Sequence, residues 1–228
     1  MAEPFVNPAA PESTERVVEL SCAIYGEPLG AMEGVLHIVA VAEREGGGEV
    51  LKIGPHAPTS AWDLFVLGFA RARVEAILVT GAVLRAEPAL RYELAPGLRA
   101  YRETVAGLRE PPLLCVLTGG EIDLAHPALA GWARPVVLTT PSAAARLRGG
   151  AVEVAAIERP SARAAIDYLM RERGCRSVSI EAGPRTASPL YAPPAAIDEL
   201  ARSVYEGPLD PRARAGALPA PSHLTLVS

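Results

Sequence analysis

The 228-residue chain has few cysteines and histidines, and their spacing argues against a metal site. Its three cysteines, Cys22, Cys115 and Cys175, lie far apart and form no C-x-x-C pair, which excludes the common zinc and redox-dithiol patterns. The four histidines are not spaced as metal ligands either. We therefore expect no bound metal, and thiols that stay reduced in an intracellular compartment.

Basic charge and long apolar runs are also scarce. The formal net charge is −4 and Lys52 is the only lysine, so the clustered basic face that nucleic acid or an anionic membrane would require is not expected. No apolar run approaches the roughly 20 residues of a membrane span. Residues 1–14 are polar and proline-rich and lack the apolar segment of a signal peptide. We expect a disordered lead-in there, and a cytoplasmic protein with neither nucleic acid nor membrane as a partner.

Hydrophobic residues make up 50% of the chain, enough for the core of a single domain over 15–228. In the helix predicted over 59–73, Ser60 is the candidate N-cap, and Trp62, Val66 and Phe69 form the predicted apolar face. The glycine run at 46–48 is interpreted as a chain break. Other helices are predicted over 15–25, 98–108 and 160–173 and from Ser142 and Pro184; strands are predicted over 35–42, 76–79, 113–117, 135–140, 152–157 and 177–181, with a strand or helix-to-strand passage over 197–205.

This alternation of strands and helices predicts an α/β fold. Strands separated by helices of about ten residues form βαβ units, and continuous apolar strands are typical of a mainly parallel sheet covered by helices on both faces. In such sheets, ligands bind beyond the carboxyl ends of the strands. The segments that follow residues 42, 79, 117, 140 and 181 are therefore the candidate ligand-binding turns.

The strand ends carry an ordered set of motifs. They read Glu-Arg-Glu-Gly over 43–46, Ala-Ile-Leu-Val-Thr-Gly-Ala-Val-Leu-Arg-Ala-Glu over 76–87, Leu-Thr-Thr over 138–140, Glu-Ala-Gly-Pro over 181–184 and Ile-Asp-Glu-Leu over 197–200. In order and spacing, the set resembles the pyrimidine reductases of riboflavin biosynthesis, which have a dihydrofolate-reductase-like fold. The resemblance implies a three-layer fold, NADPH as cofactor, a pyrimidine-type substrate similar to 5-amino-6-(5-phosphoribosylamino)uracil, and a homodimer.

Three of these turns are predicted to bind the cofactor. Glycine allows a phosphate to approach the backbone, and proline opens a helix whose first amides face outward. Each turn also has an ordinary interpretation, as a strand-to-helix turn with a glycine cap or as a hydroxyl N-cap. The predicted cofactor-binding residues are Gly81, Ala82, Val83, Thr139, Thr140, Ala182, Gly183 and Pro184.

The same resemblance implies a set of substrate-binding residues, namely Glu45, Arg85, Glu87 and Glu181. Glu45 could equally be a solvated loop carboxylate, and Arg85 and Glu87 could form an ion pair without a ligand. No catalytic residue is predicted, because hydride transfer from a nicotinamide requires neither a nucleophile nor a metal from the protein.

Departures from the family motifs fall at the predicted site. Glu45 stands where the family has Asp, Val83 stands where it has Thr, and Ala82 and Ala182 stand where it has Gly. Losing a threonine hydroxyl removes a hydrogen-bond donor to the cofactor, and a longer carboxylate changes the reach to the substrate. We therefore expect weak cofactor binding and low or absent activity. A catalytically silent relative that binds a small molecule or acts as a dimeric interaction protein is the alternative.

Overall fold

A computed structural model describes residues 8–44, 47–52, 56–58, 60–147, 150–217 and 226–227. The strands within these ranges are β1 (Gly34–Arg44), β2 (Gly47–Leu51), β3 (Ala76–Thr80), β4 (Leu113–Leu117), β5 (Arg134–Thr139), β6 (Glu153–Ala156), β7 (Ser177–Glu181), β8 (Glu199–Tyr205), β9 (Arg214–Ala217) and β10 (Leu226–Val227). The helices are α1 (Thr14–Tyr25), α2 (Ala61–Arg73), α3 (Gly81–Ala86), α4 (Pro96–Thr104), α5 (Pro141–Leu147), α6 (Ala162–Asp167) and α7 (Pro184–Ala187), with short 3-10 turns at Pro127–Ala130, Ser188–Leu190 and Pro211–Ala213.

The strands form one mixed sheet in the order β10-β8-β1-β7-β3-β4-β5-β6. All neighbours along this path are parallel. The strand β2 pairs antiparallel with β1 and with β9, which extends the sheet at one corner. The predicted α/β class and mainly parallel sheet are confirmed, and the carboxyl ends of β3, β4, β5 and β7 therefore lie along one edge.

Apolar side chains fill both faces of this sheet. One face packs Leu78, Cys115 and Val136 against Ile166 of α6 and Leu169 of the π-helical turn that follows it. The opposite face packs residues such as Leu114 against α2 and the segments that flank it. These two apolar layers confirm the predicted three-layer arrangement, in which buried parallel strands carry apolar residues on both sides.

The helices α1, α2 and α4 form a smaller cluster outside the sheet. Phe65 and Phe69 of α2 are fully buried there against Tyr101 of α4. The predicted N-cap is confirmed, since the Ser60 hydroxyl accepts a hydrogen bond from the Trp62 amide at 3.2 Å. The predicted apolar face of α2 is wrong at Trp62, which is 48% exposed because the buried face turns towards Phe65.

The described residues directly ahead of α1 cap this helix and contact α4. Thr14 begins α1, and the Ser13 hydroxyl caps it by accepting from the Arg16 amide at 3.3 Å. The Pro11 carbonyl accepts from the Gly97 amide at 2.9 Å, and a Cβ at Gly97 would lie 2.6 Å from the Ser13 carbonyl oxygen. Pro11 and Ser13, which fall in the lead-in predicted over 1–14, therefore contact the first turn of α4.

Three further boundaries differ from the prediction. The glycine run at 46–48 was expected to be a break, yet β2 begins at Gly47 and pairs with β1. The helix predicted over 98–108 lies at Pro96–Thr104, and the one predicted over 160–173 begins at Ala162 and continues as a π-helical turn over Tyr168–Glu172. The segment 197–205 forms β8 from Glu199 onward.

No helix in the described ranges has the length and apolar character needed to cross a bilayer.

Candidate functional site

A cavity of about 450 Å³ lies at the carboxyl ends of β3, β4 and β5. We call it the strand-end pocket. It is lined by Thr80, Gly81, Ala82, Arg85, Leu117, Thr118, Gly119, Thr140, Pro160 and Thr186. The segments that follow five parallel strands, β3 to β7, thus meet around one space, as expected for the ligand crevice of an α/β sheet. Of the predicted residues, Gly81, Ala82, Thr140 and Arg85 are brought together here.

The turn between β3 and α3 forms one wall of the pocket. The Thr80 hydroxyl lies 3.4 Å from the Val83 amide, from which it accepts a hydrogen bond that caps α3. A Cβ at Gly81 would lie 2.9 Å from the Thr118 hydroxyl and 3.1 Å from the Thr118 Cβ. Glycine at 81 therefore allows the β3 and β4 turns to approach each other. Val83 is half-buried and packs on the core beneath the turn.

Arg85 is the cation of the strand-end pocket. Its Nη1 donates to the Glu121 carbonyl at 2.6 Å, which holds the guanidinium near the β4 turn. Glu87 does not line the pocket; its amide ends α3 by donating to the Val83 carbonyl at 3.0 Å. Within the described residues, no ion pair joins Arg85 and Glu87.

The turn after β5 contributes Thr140, whose hydroxyl accepts from the Ala143 amide at 3.3 Å and lies 3.3 Å from the Ser142 hydroxyl. The predicted capping role is thus present at Thr140 together with its place in the pocket wall. Thr139 is fully buried and does not line the pocket. Its hydroxyl has no hydrogen-bond partner among the residues that the structure describes.

The turn after β7 approaches the pocket through Thr186. The Ala182 methyl packs in the core, so it does not narrow the cavity. Gly183 caps α7 in an extended conformation and Pro184 is the first residue of that helix. A Cβ at Gly183 would meet no atom within 4 Å, so the space beside this turn is open.

Glu181, a predicted substrate residue, is engaged in a buried ion pair. Its carboxylate accepts from Arg71 Nε at 2.7 Å and from Arg71 Nη2 at 2.6 Å, and the guanidinium lies 4.4 Å from the centre of the Tyr92 ring. Burial by itself lowers the pKa of Arg71, but the Glu181 carboxylate outweighs it and raises that pKa above its usual value. Burial also raises the pKa of Tyr92. The Glu181 side chain is therefore bound to α2 and is not presented to the strand-end pocket.

A second cavity of about 260 Å³ lies over β1 and β8 beside the first turns of α2. We call it the α2–β8 pocket. Asp63 faces it beside the exposed Trp62, and Tyr205 adds a second aromatic ring. The complete lining is Ile24, Ala40, Leu51, Pro58, Ser60, Trp62, Asp63, Val66, Arg202, Ser203, Val204 and Tyr205. It combines aromatic surface with charged groups of both signs.

Solved pyrimidine reductases share this architecture. A pyrimidine reductase-like protein from Corynebacterium diphtheriae superposes with a TM-score of 0.58 at 20% identity, over 87% of this chain and 84% of its own. The chain has the pyrimidine reductase fold. RibD from Acinetobacter baumannii superposes at 0.57 and 21% identity over 81% of this chain and 49% of RibD. The riboflavin biosynthesis reductase Rib7 from Saccharomyces cerevisiae superposes at 0.52 and 15% identity, over 90% and 87%.

At this level of identity the likeness establishes the fold, and the chain spans about half the length of RibD. No family model matches the sequence. No curated protein matches it either. The function of this chain therefore has to be inferred from its own side chains.

Sequence reasoning missed several residues of this pyrimidine reductase fold that face the two cavities. Thr118 and Gly119 follow β4, a segment whose position at a strand end was recognised without a residue being chosen. Asp63 was not among the predicted site residues, because the neighbouring Trp62 was expected to be buried and only the structure shows it exposed beside this cavity. Glu45, the remaining predicted substrate residue, lies outside the described residues.

Within the described residues, no cluster of His, Cys, Asp and Glu could hold a metal ion.

Proposed function

We propose that the chain binds NADPH in the strand-end pocket and reduces a pyrimidine-type small molecule. The observation that carries the proposal is the convergence of Arg85, four threonines and two glycines on one cavity beyond the strand ends. Guanidinium and hydroxyl groups donate hydrogen bonds to phosphate, and glycines leave room for it near the backbone. The residues present thus fit a phosphate-bearing cofactor.

Each lining residue has a defined task in this proposal. Arg85 offsets phosphate charge, and the Thr118 and Thr186 hydroxyls supply further hydrogen bonds. Gly119 is exposed and a Cβ there would meet no atom within 4 Å, so it leaves space for the ligand. NADPH, when bound, supplies the hydride, and the protein binds and orients it and excludes water.

The substrate is assigned to the α2–β8 pocket. Trp62 and Tyr205 offer aromatic surface for a planar heterocycle, and Asp63 can accept hydrogen bonds from its ring N–H or amino groups. Three strand spacings separate β1 from β4, so the two pockets are about 15 Å apart. An extended dinucleotide can span such a distance, with its phosphate end at Arg85 and its reactive end towards β1.

The first prediction tests the phosphate site. Arg85→Ala should weaken NADPH binding about tenfold to hundredfold, because a charge-assisted hydrogen bond contributes about 1.5–3 kcal/mol. Titration of NADPH fluorescence measures the dissociation constant. Arg109→Ala is the matched control, since Arg109 is also exposed and lies near the amino end of β4, at the opposite edge of the sheet. Equal affinity in the two variants would contradict a phosphate at Arg85.

A catalytically silent ligand-binding protein is the second candidate function. The buried Arg71–Glu181 pair favours it, because it withdraws a predicted substrate carboxylate from the site. Steady-state oxidation of NADPH with 5-amino-6-(5-phosphoribosylamino)uracil separates the two candidates. Turnover supports the reductase, whereas NADPH binding without turnover of this substrate or of related pyrimidines supports the silent protein.

We also propose that the chain is a homodimer. Leu64 on α2 is 51% exposed and Val105, directly after α4, is 43% exposed, which is apolar surface outside the two cavities that a second copy could cover. Multi-angle light scattering at micromolar concentration should return twice the 23.9 kDa chain mass. A strictly monomeric mass would refute the dimer without affecting the proposed cofactor site.

A further inference from the structure

The carboxyl end of β7 is held by buried polar groups from both faces of the sheet. On one face, Arg71 of α2 makes its two hydrogen bonds to the Glu181 carboxylate. On the other face, His37 of β1 lies with Nε2 3.4 Å from the Ala182 carbonyl and Nδ1 2.6 Å from the Tyr191 hydroxyl. We call these four side chains, Arg71, Glu181, His37 and Tyr191, the β7 clamp. Their hydrogen bonds fix Glu181 and Ala182, the two residues directly before Gly183.

The hydrogen bonds of His37 fix its tautomer. A carbonyl can only accept, so Nε2 carries the proton and donates to Ala182, and Nδ1 accepts from Tyr191. Burial lowers the pKa of His37 to about 4, so the ring is neutral near pH 7. The Ala182–Gly183 peptide is trans, so the Gly183 N–H points opposite to the Ala182 carbonyl and away from His37. The clamp therefore sets the orientation of the peptide that leads into the turn.

Stability alone does not account for these buried polar groups. His37 is fully buried and Tyr191 is 8% exposed. Replacing both partners of such a buried hydrogen bond by apolar groups of similar shape is often nearly neutral or stabilising. A buried polar pair whose hydrogen bonds are all formed instead fixes the orientation of the backbone that it contacts.

We propose that the β7 clamp is a positioning device that holds the turn between β7 and α7 in the geometry in which Gly183 and Thr186 accept the phosphate-bearing cofactor. The proposal rests on the proposed NADPH site. It also links the two cavities, because Arg71 belongs to α2, whose first turns carry Asp63 and line the α2–β8 pocket.

The test compares His37→Leu, which removes both hydrogen bonds, with His37→Gln, whose side-chain amide can still donate to the Ala182 carbonyl. Ser179→Ala is the matched control, since Ser179 is a fully buried residue of β7, the strand that the clamp contacts, and its hydroxyl has no partner among the described residues. Three quantities are measured for each variant: the midpoint of urea unfolding, amide hydrogen exchange over 182–190 in the protein without cofactor, and the NADPH dissociation constant.

We expect His37→Leu to lower the unfolding midpoint, because the buried Tyr191 hydroxyl and Ala182 carbonyl lose their partner, to accelerate exchange over 182–190 more than in the rest of the sheet, and to weaken NADPH about tenfold. His37→Gln should recover most of these effects, and Ser179→Ala should match the wild type. Exchange over 182–190 that stays at the wild-type rate in His37→Leu would overturn the clamp. Faster exchange with unchanged NADPH affinity would overturn its role for the cofactor.

The experiment separates this inference from the proposed function. If the wild type binds no NADPH, the proposed function fails. The hydrogen exchange of the cofactor-free variants still decides whether the clamp holds the turn: faster exchange in His37→Leu with recovery in His37→Gln supports the holding of the turn, and equal exchange in all variants overturns it.

Discussion

Replacing Arg71 with methionine is expected to lower the free energy of unfolding by about 3–5 kcal/mol. The substitution leaves the Glu181 carboxylate buried without its bidentate partner and removes the guanidinium that lies 4.4 Å from the centre of the Tyr92 ring. An unpaired carboxylate in this position is far more costly than the loss of an exposed ion pair. Urea unfolding followed by circular dichroism measures the change.

Two controls make this prediction specific. Arg16→Met breaks an exposed pair with Glu19, with 36% and 64% of the two side chains accessible, and should cost well under about 1 kcal/mol. The double variant Arg71→Met with Glu181→Leu removes both buried charges and should recover much of the lost stability. A single Arg71→Met variant as stable as the Arg16→Met variant would show that Glu181 is not held in a dry environment.

The strands could be predicted because their signal is local. The segment of β3 is apolar up to its last residue, Thr80, and β4 is an unbroken apolar run whose residues are all buried. Antiparallel β2 could not be predicted in the same way. It begins at Gly47, and glycines carry no side chain whose alternation would mark a strand. It is defined instead by its pairing with β1, which directly precedes it, and with β9, which lies far away along the chain.

The turns of the site were predictable, but the direction of each side chain was not. The rule that ligands lie beyond strand ends selected the turns after β3, β5 and β7 as candidates, and Gly81, Thr140 and Thr186 from these turns line the strand-end pocket. It could not reveal that Ala182 points into the core while Thr186, a few residues later, faces the cavity. Nor could it pair Glu181 with Arg71, which is 110 residues away in sequence, because only the packing of α2 on the sheet brings them together.

The other large effect is expected at Gly183. Gly183→Val should leave the fold intact, because the residue has φ −67° and a Cβ there would meet no atom within 4 Å. The branched side chain would instead occupy the open space beside the turn, three residues before Thr186 of the strand-end pocket. If the cofactor phosphate approaches this backbone, NADPH affinity should fall about tenfold to hundredfold.

Gly30→Val is the matched control for that experiment. Gly30 also has no atom within 4 Å of a Cβ, and it precedes β1 at the amino-end edge of the sheet, where its carbonyl accepts from Arg73 Nε at 2.9 Å. The Gly30→Val variant therefore has the same glycine-to-valine substitution at a position that lines neither cavity. NADPH fluorescence titration should therefore show a weakened Gly183→Val variant and a Gly30→Val variant equal to the wild type. Equal affinity in all three proteins, with equal unfolding midpoints, would mean that the phosphate does not lie at the β7 turn and that Arg85 and Thr118 bind it without Gly183.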